Sequence, residues 1–179
     1  MCGILLIISK KKPPNKKKCI NAFKTIYTRG PDVQKFEFFE KNRIFIGNSI
    51  LSISGKVSKS KKLYKSQNKK NFIAFNGEIY NFKDLQKKYF NKNFSNDTDF
   101  LVNFFENKNH LVTKKLNGMY AFIIYDKISK KIHIFNDPQG EKNLFFFNND
   151  EYFIISSTPE PILKIMPNCK YNIDSLRNY

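Results

Sequence analysis

Cys2 stands one peptide bond behind the opening methionine, in Met1-Cys2-Gly3-Ile4. Small second residues permit removal of Met1, and Cys2 would then carry both a thiol and a free α-amine. An α-amine has a pKa of roughly 7.7–8.0, so a base poised near neutral pH would stand beside a thiol nucleophile on the same residue. Gly3 has no Cβ, which lets a substrate approach the backbone closely there. The other cysteines, Cys19 and Cys169, show neither a metal-ligand spacing nor a disulfide framework. The histidines, His110 and His133, share no spacing with them, so no metal site is expected. His133 lies inside the strand-like Lys131-Ile132-His133-Ile134-Phe135, where a structural role is expected.

Further unusual strings follow in a fixed order. They are Arg29-Gly30-Pro31-Asp32, Leu51-Ser52-Ile53, Asn76-Gly77-Glu78-Ile79-Tyr80-Asn81 and Asp97-Thr98-Asp99. After them come Gly118-Met119-Tyr120-Ala121-Phe122 with Tyr125-Asp126, and then Asp137-Pro138-Gln139-Gly140-Glu141-Lys142. Together with the Cys2 opening, these strings resemble the N-terminal glutaminase domain of class II glutamine amidotransferases. The likeness is to the glutamine-hydrolysing asparagine synthetase type, without its synthetase domain, and it covers nearly the whole chain. It implies the four-layer αββα sandwich of the N-terminal-nucleophile hydrolases.

The resemblance also implies roles. Cys2 would attack the side-chain amide of glutamine, passing through a tetrahedral oxyanion to a γ-glutamyl thioester and releasing ammonia. The Asn76 side chain and the Gly77 amide would hold the oxyanion. Glu78 and Asp97 would meet the substrate ammonium, and Asp97 also suits a helix N-cap. Ile50, Leu51, Ser52 and Ile53 would border the substrate, the last three through backbone contacts. Arg29 and Asp32 would brace the loop around the site, and residues 137–142 would form a structural turn beneath its sheet. Read alone, Asn76-Gly77 is an ordinary turn signal; the following Glu78-Ile79-Tyr80-Asn81 argues for the site.

Departures from the family pattern bear on affinity. Ile50 stands where the family usually carries an arginine that grips the glutamine α-carboxylate, and Asn48 stands where a histidine is typical. A charge-assisted hydrogen bond contributes roughly 1.5–3 kcal/mol, so its loss predicts glutamine binding about 10- to 150-fold weaker. Thr28, Asn136, Gln139 and Asn143 also differ from the usual residues. Two readings stay open: a glutaminase that supplies ammonia to a synthetase, or a catalytically weak or inactive relative that binds and regulates one. No cofactor is expected in this domain; ATP and magnesium would belong to a synthetase domain, whose Ser-Gly-Gly-x-Asp-Ser type loop does not occur here. The expected partners are glutamine and a separate ATP-dependent synthetase chain.

The elements that must position these residues follow from period and punctuation. Residues 4–8 read as a buried central strand. A helix is expected over 16–27, ended by Arg29-Gly30-Pro31. Short strands are expected at 36–39, 43–47 and 50–54, a lysine-rich loop at 56–71, and a strand at 72–75 ended by Asn76-Gly77. Helices at 81–90 and 97–107 come next, with Asp97 and Asp99 favoured by the helix dipole. Two hairpins, 119–126 with 131–135 and 144–147 with 152–156, precede a short helix at 159–165. Strands at both ends with helices between them give an α+β layered fold.

Length allows one domain with a sizeable core, taken as residues 1–179, with 172–179 as the start of a linker. The formal charge is +17, from 32 Lys+Arg against 15 Asp+Glu. Nearly all of the positive charge is lysine rather than arginine, and the lysine clusters at 10–18 and 56–70 read as solvated loops. Arginine, the usual bidentate reader of bases and phosphates, is confined to Arg29, Arg43 and Arg177. No nucleic-acid partner is therefore expected. The apolar run at 4–8 is too short for a signal segment or a membrane span, and the odd cysteine count suits a reducing cytoplasm.

Overall fold

The computed structural model describes residues 1–52, 60–108, 113–170 and 172. Ile53, His110 and residues 173–179 lie outside the described residues. Nine strands form two antiparallel sheets among them. The first sheet runs β2 (Val33–Phe39), β3 (Ile44–Ile50), β1 (Gly3–Ser9), β9 (Tyr152–Ser156), β8 (Phe145–Asn148). The second runs β4 (Tyr64–Lys65), β5 (Asn71–Ile79), β6 (Gly118–Asp126), β7 (Lys131–Asn136). Helices α1 (Lys16–Lys24) and α4 (Glu160–Ile165) pack on the outer face of the first sheet, and α3 (Asp97–Lys108) with α2 (Phe82–Tyr89) on that of the second.

Strand β1 explains the layering. Its side chains alternate faces, and both faces are buried. Ile4 and Leu6 point into a core between the sheets, with Ile46, Ala74, Ala121 and Ile123. Leu5 and Ile7 point the other way, against Cys19, Ala22 and Phe23 of α1 and Ile162 of α4. A third core, rich in phenylalanine, joins Phe75 and Phe122 to Phe100 and Phe104 of α3. Three cores between four layers make the αββα sandwich. The central strand, both hairpins and all four helices fall where sequence places them, although α1 stops at Lys24 before a 3-10 turn at Tyr27–Arg29.

Three expectations are corrected. The segment 56–71 is not wholly loop, because Tyr64 and Lys65 pair with Ile73 and Phe72 and Asn71 already opens β5. The strand at 50–54 does not form over Leu51 and Ser52. Ile50 closes β3, its carbonyl accepts the Asp32 N–H at 3.2 Å, and the Asp32 carboxylate takes the Ser52 N–H at 2.7 Å. These groups face the 30–32 segment instead of a strand partner. Last, Asn76-Gly77 does not end its strand. Pairing with β6 continues through Asn76↔Ala121 and Gly77↔Tyr120 to Ile79↔Gly118, so the dipeptide lies in extended chain.

Candidate active site

The N-terminus of β1, the end of β3 and the second half of β5 meet at one rim of the inter-sheet core. Alternation puts Cys2 on the face of Ile4 and Asn76 on the face of Ala74, so both side chains look into the space between the sheets. A pocket of about 100 Å³ opens there, lined by Cys2, Asn76, Gly77, Glu78, Asp97 and Lys142, with Ile50, Leu51 and Ser52 along another wall. The residues gathered from sequence thus converge, Ile53 excepted as outside the described residues. Met1 lies across the mouth, 60% exposed, with its sulfur 3.8 Å from Lys142 Nζ and 4.0 Å from Arg29 Nη2.

Strand register decides what the β5 edge offers. The Tyr80 N–H donates to Asn117 O, whereas the N–H and C=O of Tyr120 bond to Asp137 on the far side of β6. In an antiparallel ladder, hydrogen-bonded and non-hydrogen-bonded pairs alternate. Phe75, Gly77 and Ile79 therefore turn their N–H groups away from β6, toward the edge where β4 has already ended. The Phe75 N–H is taken by Asn48 Oδ1 at 3.1 Å and the Ile79 N–H by Asp97 Oδ2 at 3.2 Å. The Gly77 N–H lies between them and faces the pocket edge. Only glycine fits, since a Cβ there would stand 2.1 Å from Met119 O at a φ of +152°.

Beside that amide is a buried donor held in reserve. Asn76 is 2% exposed, and its Nδ2 has no hydrogen-bond partner. Leaving a buried donor unpaired costs about 1–3 kcal/mol, and such groups call for an explanation in ligand or reaction chemistry. Four buried side-chain polar atoms lack partners among the described residues, and only this one belongs to the pocket lining.

The Cys2 thiol lies 3.7 Å from Leu51 O. Burial raises its pKa and the Asp97 carboxylate adds to the rise, while the chain-terminal amine and Arg29 oppose them. A thiol held protonated in this way needs a base before it can attack. Burial likewise raises Asp97, helped by the nearby Glu78 charge and opposed by hydrogen bonds from Ile79 and Thr98. Asp97 is the first residue of α3 but not its cap. Asn96 caps the helix, its Oδ1 accepting the Asp99 N–H at 2.9 Å, which frees the Asp97 carboxylate for the pocket. Glu78 is exposed at the mouth.

Arg29 donates to Cys2 O at 3.1 Å, and Gly30 lies so close to β3 that a Cβ would meet Ser49 and Ile50 backbone atoms at 2.4 Å. With the Asp32 bonds to Ile50 and Ser52, this segment clasps the nucleophile and the Leu51 wall and does not line the pocket. Asp137 organises the turn after β7, its carboxylate accepting N–H groups from Tyr120, Glu141 and Lys142. Burial works against its charge, but those donors outweigh it and hold Asp137 below the usual aspartate range. That turn delivers Lys142 into the pocket, a placement sequence reading did not foresee. Asn48 was also missed as a structural element of the site, because its partners are 27 and 45 residues away.

His133 packs on Phe105 at 4.9 Å, away from the pocket. Among the described residues no three His, Cys, Asp or Glu side chains converge as metal ligands would, and no helix is long and apolar enough to cross a membrane.

A family model described as "Glutamine amidotransferase domain" matches residues 1–179. A relative from Methanocaldococcus jannaschii, named for asparagine synthetase (glutamine-hydrolyzing), is 30% identical over 192 residues, covering 97% of this chain and 37% of that protein. Asparagine synthetase (glutamine-hydrolyzing) 1 of Bacillus subtilis is 26% identical over 158 residues, covering 86% of this chain and 24% of that protein. The chain thus spans at most 37% of either relative's length. Among solved structures, the glutamine phosphoribosylpyrophosphate amidotransferase from B. subtilis, complexed with ADP and GMP, is similar in fold. The TM-score is 0.69 at 17% identity, over 92% of this chain and 44% of that one.

Proposed function

Since the chain belongs to the glutamine amidotransferase domain family, we propose that it hydrolyses the side-chain amide of glutamine and supplies the ammonia to a synthetase. The observation that carries this reading is the buried, unpartnered Asn76 Nδ2 beside the edge-facing Gly77 N–H, both bordering the pocket of Cys2. Two preorganised donors next to a thiol are what a tetrahedral oxyanion requires.

In this scheme Met1 is removed, and the new Cys2 α-amine takes the thiol proton. The sulfur attacks the amide carbon, and the carbonyl oxygen becomes an oxyanion held by Asn76 Nδ2 and Gly77 N–H. Collapse expels the nitrogen, which leaves as ammonia with the proton returned by the amine. A γ-glutamyl thioester remains on Cys2, and water attack repeats the sequence to release glutamate. Asp97, with Glu78 at the mouth, receives the substrate ammonium. Ile50 puts an apolar side chain where an anionic group of the substrate would pass, which supports a high KM. Residues 1–179 act as one glutaminase unit, with no cofactor required for this half-reaction. ATP and magnesium would serve a synthetase that consumes the ammonia. We place the protein in the cytoplasm, where free glutamine and a reduced thiol coexist.

The test is stoichiometric release of glutamate and ammonia from glutamine by protein whose intact mass lacks Met1. Cys2→Ala is expected to abolish both products. Equal turnover by Cys2→Ala, or turnover by protein that keeps Met1, would overturn the reading.

A further inference from the structure

Asn48 is 1% exposed on β3, facing the gap between the sheets. Its amide makes three hydrogen bonds. Nδ2 donates to Gly3 O at 3.1 Å and to Phe75 O at 3.0 Å, and Oδ1 accepts the Phe75 N–H at 3.1 Å. Both Nδ2 hydrogens and one oxygen lone pair are thereby used. Gly3 follows the nucleophile in sequence, and Phe75 precedes the oxyanion donor Asn76. The two belong to different sheets, which otherwise meet here through apolar side chains with no directional preference.

We propose that Asn48 is a positioning residue that sets the distance and register between the Cys2 strand and the Asn76-Gly77 strand. The inference rests on the glutaminase reading given above. The Asn48 amide completes the edge of β5 as one more strand residue would, so β5 can neither slide nor splay relative to β1. It occupies the N–H and C=O of Phe75, two residues before Gly77 on the same edge, and stops there. The Gly77 amide is thus left open to a ligand while its neighbours on both sides are fixed, by Asn48 before it and Asp97 after it. An apolar residue at 48 would fill the space without fixing the gap. An acid could accept from Phe75 N–H but could not donate to either carbonyl.

The test is steady-state kinetics of Asn48→Leu and Asn48→Ser, normalised to sites labelled covalently by a glutamine-analogue diazoketone. The Ser variant is small enough to admit water to the orphaned carbonyls and so keeps the fold if the Leu variant does not. Misplacing catalytic groups by about 1 Å costs on the order of 10²-fold in rate. We expect kcat per labelled site to fall by about that factor with KM within about threefold of wild type, a transition-state loss and not a loss of binding. Amide hydrogen exchange at Phe75 should accelerate in the same variants, and it is read without turnover. Unchanged kcat per labelled site, a rise in KM alone, or unchanged Phe75 exchange would overturn the proposal. Wild-type protein without Cys2-dependent turnover would instead sink the glutaminase reading.

Discussion

The two walls of the pocket are built on opposite principles. The β5 wall is regular sheet whose edge amides are assigned one by one, Phe75 to Asn48, Ile79 to Asp97, with Gly77 between them left to the pocket. The facing wall, Ile50-Leu51-Ser52, leaves the sheet and is held from behind by Asp32, presenting an apolar side chain and the Leu51 carbonyl to the cavity. The first wall is equipped for charge that develops during a reaction. The second offers no cation to a substrate anion, and Lys142 is the one cationic side chain among the described residues lining the pocket. In the proposed scheme, transition-state stabilisation and ground-state grip fall to separate segments, the β5 wall supplying the unpartnered donor and the facing wall lacking a cation.

Breaking the β5 wall should have the larger effect. Asn76→Ala removes the buried donor without touching the ladder, since Asn76↔Ala121 pairing uses backbone alone. Loss of one oxyanion donor costs about 2.7–4 kcal/mol, so kcat should fall about 10²- to 10³-fold with KM little changed. Building up the opposite wall should act on KM instead. Ile50→Arg places a guanidinium at the rim, and one charge-assisted bond to a carboxylate contributes about 1.5–3 kcal/mol. KM for glutamine should drop, by up to about 150-fold, with kcat altered less. A fall in kcat for Ile50→Arg, or a KM effect for Asn76→Ala, would show that the walls do not divide the work this way.

The same division marks what could be read from sequence. That Cys2, Asn76-Gly77, Glu78 and Asp97 would share one pocket was legible from the family resemblance that the ordered motifs carry, and the pocket gathers them. The layered fold was legible too, since β1 is apolar on both faces and helical periods flank the strands. What escaped was long-range. Asn-Gly reads as a turn until β6 is known to pair straight through it. Asn48 reads as a departure from a family pattern, because nothing local says that its amide will meet Phe75 and Gly3. Lys142 reads as part of a turn, since only the Asp137 hydrogen bonds aim the chain after it at the pocket. Leu51-Ser52 reads as a strand for the converse reason: the Asp32 carboxylate that diverts Ser52 is 20 residues away.

The smallest effect concerns the cost of keeping a carboxylate in the β5 wall. Burial raises the pKa of Asp97 above its ordinary value, so ionising it is harder in the folded chain than in the unfolded one. A raised folded pKa means that the group's contribution to stability is fully present below the unfolded pKa, roughly 3.9, and is lost as pH rises through the folded pKa. At neutral pH Asp97 therefore lowers stability relative to an uncharged isostere. The amide introduced by Asp97→Asn would still present an oxygen to the Ile79 N–H, so this substitution should raise Tm at pH 7, by about 2–4 °C for each kcal/mol relieved. The difference from wild type should shrink as pH falls toward 4, because the folded carboxyl takes up its proton first and the unfolded one is by then only about half ionised. The variant should at the same time bind glutamine more weakly, because an amide cannot pair with the ammonium. Thermal unfolding of both proteins across pH 4–7, alongside KM, tests this. A wild type more stable than Asp97→Asn at pH 7 would mean that the carboxylate is held by favourable contacts within the folded chain and is not poised for a substrate charge.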